Sequence, residues 1–269
     1  MPNDLPPWTA VSQQVQRWAD WLEHTTRISV ADSTYREYTG LFRRCIQHGI
    51  GHIRMTALTA QHIQKLYSRM LDEGRSPATV RHVHALLHQA LQHTGRVRWQ
   101  EVRPPKAKRT KVVALDPEQV GTILETTRGT RLEALWVLIA YTGLRLSEAL
   151  GLRWQDVDLD RKQVRINKVL QTKGLRVLKD PKTEESRRTL RVSERVVEAL
   201  RGWKLNQITE RLRAGERWAD EAGLVFTTRQ GRPISVSSLH ENVWKPLLTR
   251  AGAPRIRIHD LRTSWRRCY

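Results

Sequence analysis

The chain has 269 residues, 39% hydrophobic and 28% charged, enough for one large domain or two ordinary ones. Its formal net charge of +20 and isoelectric point near 10.9 point to a polyanionic counterpart. A membrane partner is disfavoured: the basic residues are scattered, and the longest apolar run, Ala134–Ala140, is far short of a span. The opening Met1-Pro2-Asn3-Asp4-Leu5-Pro6-Pro7 is not a secretory signal, and Cys45 and Cys268 form no metal or redox motif. A reducing cytoplasm is the simplest setting.

Residues 1–10 read as a flexible arm. Apolar spacing predicts a helix over 11–24 through Val15, Trp18 and Leu22, and a second from Thr34, capped by Ser33, to a break at Gly49 and Gly51. A third is expected from Thr59 to Gly74, with Ile63, Leu66, Tyr67 and Met70 on one face. Ser76-Pro77 reads as an N-cap and first helical position, opening a fourth helix through Val80, Val83, Leu87 and Leu91. Four amphipathic helices with short links make a helical domain over 11–95. His84 and His88 are one turn apart on the fourth helix. With no acidic or cysteine partner at a helpful spacing, they read as histidines at a helix interface rather than a metal pair.

Residues 96–113 change character. Pro104-Pro105 excludes a continuous helix, and Lys106, Lys108 and Arg109 follow. The stretch reads as a linker, either a solvated tether or a strap across a DNA backbone. A second domain, 114–269, opens on Asp116-Pro117-x-Gln119, an acidic cap, a proline and a capping-box residue. An apolar helix then runs to Gly143, and a further helix starts near Arg145, with Glu148 on the same face. An arginine held between core helices loses hydration and needs an anion. Glu148 and a phosphate at the helix start are both candidates, and a simple bracing Arg–Glu pair is the plain alternative.

Three short strands follow: one with Val164 and Ile166 inward, one alternating through Leu175, Val177 and Lys179, and Arg188–Val192. Together they form a small antiparallel sheet, basic on one side. Asp180–Ser186, with Lys182, is the loop before the third strand. Ser193 caps a long helix with Val197, Leu200, Ile208 and Leu212 as its apolar side. Ser238 opens another, ending at Gly252. The fold class is mainly α with this small sheet. His259 and Arg262 lie three apart in a basic segment near the end.

Arginines, a histidine and a lysine in three separated places are the groups needed to hold a phosphodiester and stabilise added negative charge. No acidic cluster suited to magnesium is evident, so no metal and no cofactor is expected. Thr142-Gly143-Leu144-Arg145-Leu146-Ser147-Glu148, Pro181-Lys182-Thr183 and His259-Asp260-Leu261-Arg262 occur in the order and separation of the tyrosine recombinase (phage integrase) family, which the chain resembles over nearly its whole length. The resemblance implies a core-binding domain followed by an α+β catalytic domain. It implies that Arg145 and Arg262 clamp the scissile phosphate, that His259 assists, that Lys182 protonates the departing 5′ oxygen, and that Glu148 orients groups around Arg145. It also implies a covalent 3′-phosphotyrosyl bond. The family's nucleophile lies well beyond the His-x-x-Arg box, whereas Tyr269 is seven residues past Arg262, so the catalytic domain is expected to be incomplete and cleavage defective. The expected partners are double-stranded DNA and further copies of the chain on it, in the cytoplasm at the nucleoid. A DNA-binding module without cleavage is the alternative, and an RNA-binding protein a weaker one.

Overall fold

The computed structural model describes residues 32–54, 57–91, 97–107, 115–171, 177–181, 186–220 and 222–262. The chain divides into two compact units, Met1–Thr110 and Lys111–Tyr269, each with its own apolar cluster. The helix expected over 11–24 lies outside the described residues.

In the first unit, α1 (Asp32–Leu41) begins two residues before the expected start and continues through a π-helical stretch, Phe42–Gln47, into His48–Ile50. Gly49 therefore sits inside the helix, and Gly51 is its C-cap. α2 (Ala60–Asp72) has a complete capping box, with Thr59 accepting from the His62 backbone and His62 reaching back to Thr59. α3 (Pro77–Leu91) starts where Ser76 Oγ accepts from the Thr79 N–H at 3.2 Å. Ile63, Leu66, Tyr67 and Met70 of α2 are buried with Val80, Val83 and Leu87 of α3. His84 takes a hydrogen bond with the Tyr67 hydroxyl at 2.9 Å, and the rings of His84 and His88 both pack on Trp99. Burial lowers the His84 pKa and raises that of Tyr67. The stretch read as a tether from residue 96 is not free at its start: Val97 and Val102 belong to this core.

The second unit is built around α5 (Glu133–Thr142). Ala134 through Ala140 are all buried, as expected of a helix apolar on every side. α4 (Pro117–Thr127), α6 (Leu146–Leu150) and α7 (Glu194–Ala214) surround it. The Asp116 capping box is present as the sequence suggests. The sheet is divided differently from the expectation. β1 (Val157–Asp158), β2 (Gln163–Ile166) and β5 (Arg188–Arg191) form an antiparallel sheet in the order β1-β2-β5. β3 (Val169–Leu170) and β4 (Leu178–Lys179) form a separate ribbon. Val164 and Ile166 face inward. In the ribbon Leu178, not Val177, packs on the core, because Leu178 pairs with buried Leu170. A Cβ on Gly151 would lie 2.7 Å from Val169 Cα, so only glycine lets the end of α6 meet β3 so closely.

Along α7, Val197, Leu200, Trp203 and Gln207 turn inward, whereas Ile208 and Leu212, expected on the core side, are exposed. Their spacing from Leu200 drifts off the buried stripe, and the Gln207 amide bonded to the Leu224 and Val225 carbonyls holds the inward position. α7 runs through the polar stretch to Ala214 and closes in a 3-10 turn, Gly215–Arg217. α8 (Val236–Leu239) opens earlier than Ser238, with Ser235 as the cap; π-helical His240–Trp244 joins it to α9 (Lys245–Arg250). Trp244 packs on Trp136 of α5 and donates to the Ile256 carbonyl at 2.8 Å, fixing the segment that leads to His259. Among the described residues, no helix is long and apolar enough to cross a membrane.

Candidate functional site

Gly143 ends α5 in the left-handed region, φ 63°, and its N–H returns to the Ile139 carbonyl at 3.0 Å. The chain turns sharply there, and Arg145 becomes the N-cap of α6. At N3 of that helix Glu148 folds back: one carboxylate oxygen accepts from the Arg145 backbone N–H and the other from Arg145 Nη1, both at 2.8 Å. The carboxylate thus fills the helix start that the sequence offered to a phosphate. The burial is also the reverse of the expectation. The Arg145 side chain is 54% exposed, and Glu148 is the buried member at 3%. An N-cap residue has extended backbone and points outward, while the N3 side chain turns in toward Ala149 and Leu150.

A second arginine, expected from the sequence only as the start of a strand, shares the carboxylate. Arg188 opens β5, and its Nη2 donates to Glu148 Oε2 at 2.9 Å and its Nη1 to the Ser186 carbonyl at 3.2 Å. Burial by itself raises the Glu148 carboxyl; the hydrogen bonds from Arg188 and from the Arg145 backbone and side chain outweigh it and hold the pKa below the ordinary value. A signal was available: a carboxylate in an apolar run, flanked by one exposed cation, calls for a further partner. The alternation over 188–192 predicts a strand but not where the Arg188 side chain is aimed.

The second box reaches the same place. Ile256 and Ile258 are buried and alternate with exposed Arg257 and His259, and Leu261 is fully buried. Residues 258–262 are helical, and Arg262 Nε donates to the Gly143 carbonyl at 2.6 Å, across 119 residues of sequence. The Arg262 guanidinium is therefore held on the turn that leads into Arg145, whose own guanidinium is held by Glu148. His259 is exposed on the same helical turn as Arg262. This helix also starts on an arginine cap: Asp260 accepts from the Arg257 backbone at 2.9 Å and from its guanidinium at 2.8 Å, and those bonds lower the Asp260 pKa.

Lys182, Lys108, Arg109 and Tyr269 lie outside the described residues. Just before Lys182, at the end of β4, Asp180 holds Lys168 at 3.2 Å and Arg187 at 2.9 Å. The Lys168 hydrogen bond is the main cause of its lowered pKa. Lys106 is exposed in the first unit.

The phage integrase family profile matches residues 114–267, more than half of the chain. The chain belongs to the phage integrase family. The integrase N-terminal SAM-like domain matches residues 15–71. A tyrosine recombinase XerC-like protein of Caldanaerobacter subterraneus is 28% identical over 91% of this chain and 69% of its own length. An integrase of Saccharopolyspora erythraea is 24% identical over 95% of this chain and 71% of its own. Among solved structures, a Tn1549 transposon integrase with circular intermediate DNA superposes with a TM-score of 0.77 at 19% identity, covering 93% of this chain and 84% of that one. A lambda integrase dimer on a core site gives 0.63 at 17%, covering 93% and 86%. At these identities the structural likeness establishes the integrase fold.

Proposed function

We propose that this integrase is a site-specific DNA recombinase of the tyrosine type, which cuts and rejoins a strand at a phosphodiester. The observation that carries this reading is the bond from Arg262 to Gly143, which ties an arginine of the distant second box to the turn that precedes Arg145. Arg145 and Arg262 hold the non-bridging oxygens of the scissile phosphate. In the transition state these oxygens gain negative charge, and guanidiniums already fixed by Glu148 and the Gly143 carbonyl stabilise it without reorganising. His259 assists with a hydrogen bond or proton, and Lys182 protonates the departing 5′ oxygen. Glu148 is a positioning residue. As its proton passes to water, the incoming tyrosine oxygen replaces the 5′ oxygen on phosphorus, giving a 3′-phosphotyrosyl ester and a free 5′ hydroxyl; the reverse exchange rejoins DNA without ATP. The guanidiniums supply the positive charge in this scheme, which invokes no cofactor.

Duplex DNA and self-association on it are the partners this reading implies. Support comes from the Tn1549 integrase solved on DNA and from lambda integrase solved as a dimer on a core site and a tetramer on a Holliday junction. In this reading the helical first unit binds duplex DNA, the second carries the chemistry, and Lys106, Lys108 and Arg109 contact backbone phosphates.

The test starts from a binding site selected from a random duplex pool and resynthesised with a nick that traps the cleaved strand. A denaturant-resistant protein–DNA adduct, lost in Arg145→Ala and Arg262→Ala, supports cleavage by this chain, and its loss in Tyr269→Phe assigns the attack to Tyr269. Tight, salt-sensitive duplex binding with no adduct from the unaltered chain would replace recombination with site occupancy alone.

A further inference from the structure

At the far end of α5 from Arg145 the second unit has a cavity of about 690 Å³, lined by Arg131, Arg213, Arg217 and Arg229 with Glu210 as its carboxylate. Glu210 is already committed. It takes both Arg131 Nε and Nη2 at 2.7 Å, and Arg131 also donates to the Thr227 carbonyl and lies 4.9 Å above the Trp203 ring. That bidentate, stacked pair is half-buried and forms a rigid floor. The other three arginines are exposed, and none of their side chains has a hydrogen bond or ion pair to a described residue. Their charges come from three elements: Arg213 from the last turn of α7, Arg217 from the 3-10 turn after it, and Arg229 from the turn before Gly231. Cations brought from separate elements to one concavity repel one another, and that cost is offset when an anion sits between them.

We infer that this cavity is a second anion site, taking two or more adjacent phosphate groups. Its size suits a small polyphosphate or a short reach of backbone. Phosphate rather than a base is the recognised chemistry, because the aromatic ring at the site, Trp203, is buried and already covered by Arg131. The site is separate from the arginines of the recombination centre. α5 alone spans ten residues between them, roughly 15 Å at the rise of an α-helix. The inference does not depend on strand cleavage.

Two sources present this chemistry: a free polyphosphate and the phosphates of a DNA segment outside the cleaved strand. Titration of the full chain with tripolyphosphate, followed by calorimetry, tests the site. Arg145→Gln/Arg262→Gln should still bind tripolyphosphate, and adding Arg213→Gln, Arg217→Gln and Arg229→Gln should weaken binding at least tenfold. Arg131 and Glu210 are left untouched so that the floor persists, and an unchanged thermal unfolding midpoint checks the fold. In the duplex arm, the three substitutions alone should lower the salt slope by about 2–3 if the source is DNA, at about 0.9 per lost phosphate contact. An unchanged slope with tripolyphosphate binding lost assigns the site to the free anion. Tripolyphosphate and duplex binding both equal to the unaltered chain's would overturn the site.

Discussion

Two helices of the second unit open with the same device and end with different consequences. α6 starts on Arg145 with Glu148 three residues on, and the helix over 258–262 starts on Arg257 with Asp260 three residues on. In both, the carboxylate accepts from the arginine's backbone N–H and guanidinium. Asp260 accepts from Arg257 of its own turn; Glu148 takes, besides Arg145, Arg188 from a strand 40 residues away. The Arg257–Asp260 pair caps the start of its helix. The Arg145–Glu148 pair, through Arg188, becomes the anchor for a cluster of cations. A local motif acquires a possible function when the fold delivers to it something its own turn cannot.

Substitutions sharpen that contrast. Arg145→Ala and Arg262→Ala should reduce adduct formation on nicked DNA on the order of 10²–10³-fold, as for loss of one preorganised transition-state donor. Arg257→Ala, at the matching cap, should change it less than about threefold; an equal loss would erase the distinction. For stability, Glu148→Gln should cost about 3 kcal/mol in urea unfolding, because two arginines lose a buried shared anion. The value sits at the low end for a buried pair because both guanidiniums retain access to water. Asp260→Asn should cost about 1 kcal/mol, the scale of a helix cap. If the two costs match, Arg188 adds nothing.

Acid should expose the same difference. The folded pKa of Glu148 is depressed, so its stabilisation is complete above the ordinary carboxylate value and is lost as pH falls through the folded one. The gap in unfolding free energy between the unaltered chain and Glu148→Gln should therefore be constant at neutral pH and shrink below about pH 4.3. A gap that widens on acidification would reverse the sign. The smallest effect is that of Lys106→Ala, an exposed cation: a few-fold weaker duplex binding at all sequences, with a salt slope lower by about 0.9.

Local chemistry was legible along the chain. The Thr59 and Asp116 caps, the left-handed Gly143, the all-round apolar α5 and the alternation of Val164 and Ile166 follow from turn chemistry and periodicity within a few residues. The candidate cations at 145 and 262 were legible as motifs. Which arginine is wet was not. Nor was the third one, Arg188, nor the pairing of β4 with β3 instead of β2, nor the outward turn of Ile208 and Leu212. Each of these depends on what stands opposite, and that partner is tens of residues away in sequence. Sequence by itself determined where helices start, where a carboxylate would need a cation, and which residues carry charge. Tertiary structure alone decided that a carbonyl at 143 would meet a guanidinium at 262, because hydrogen bonds act over about 3 Å and periodicity carries no information about distant neighbours.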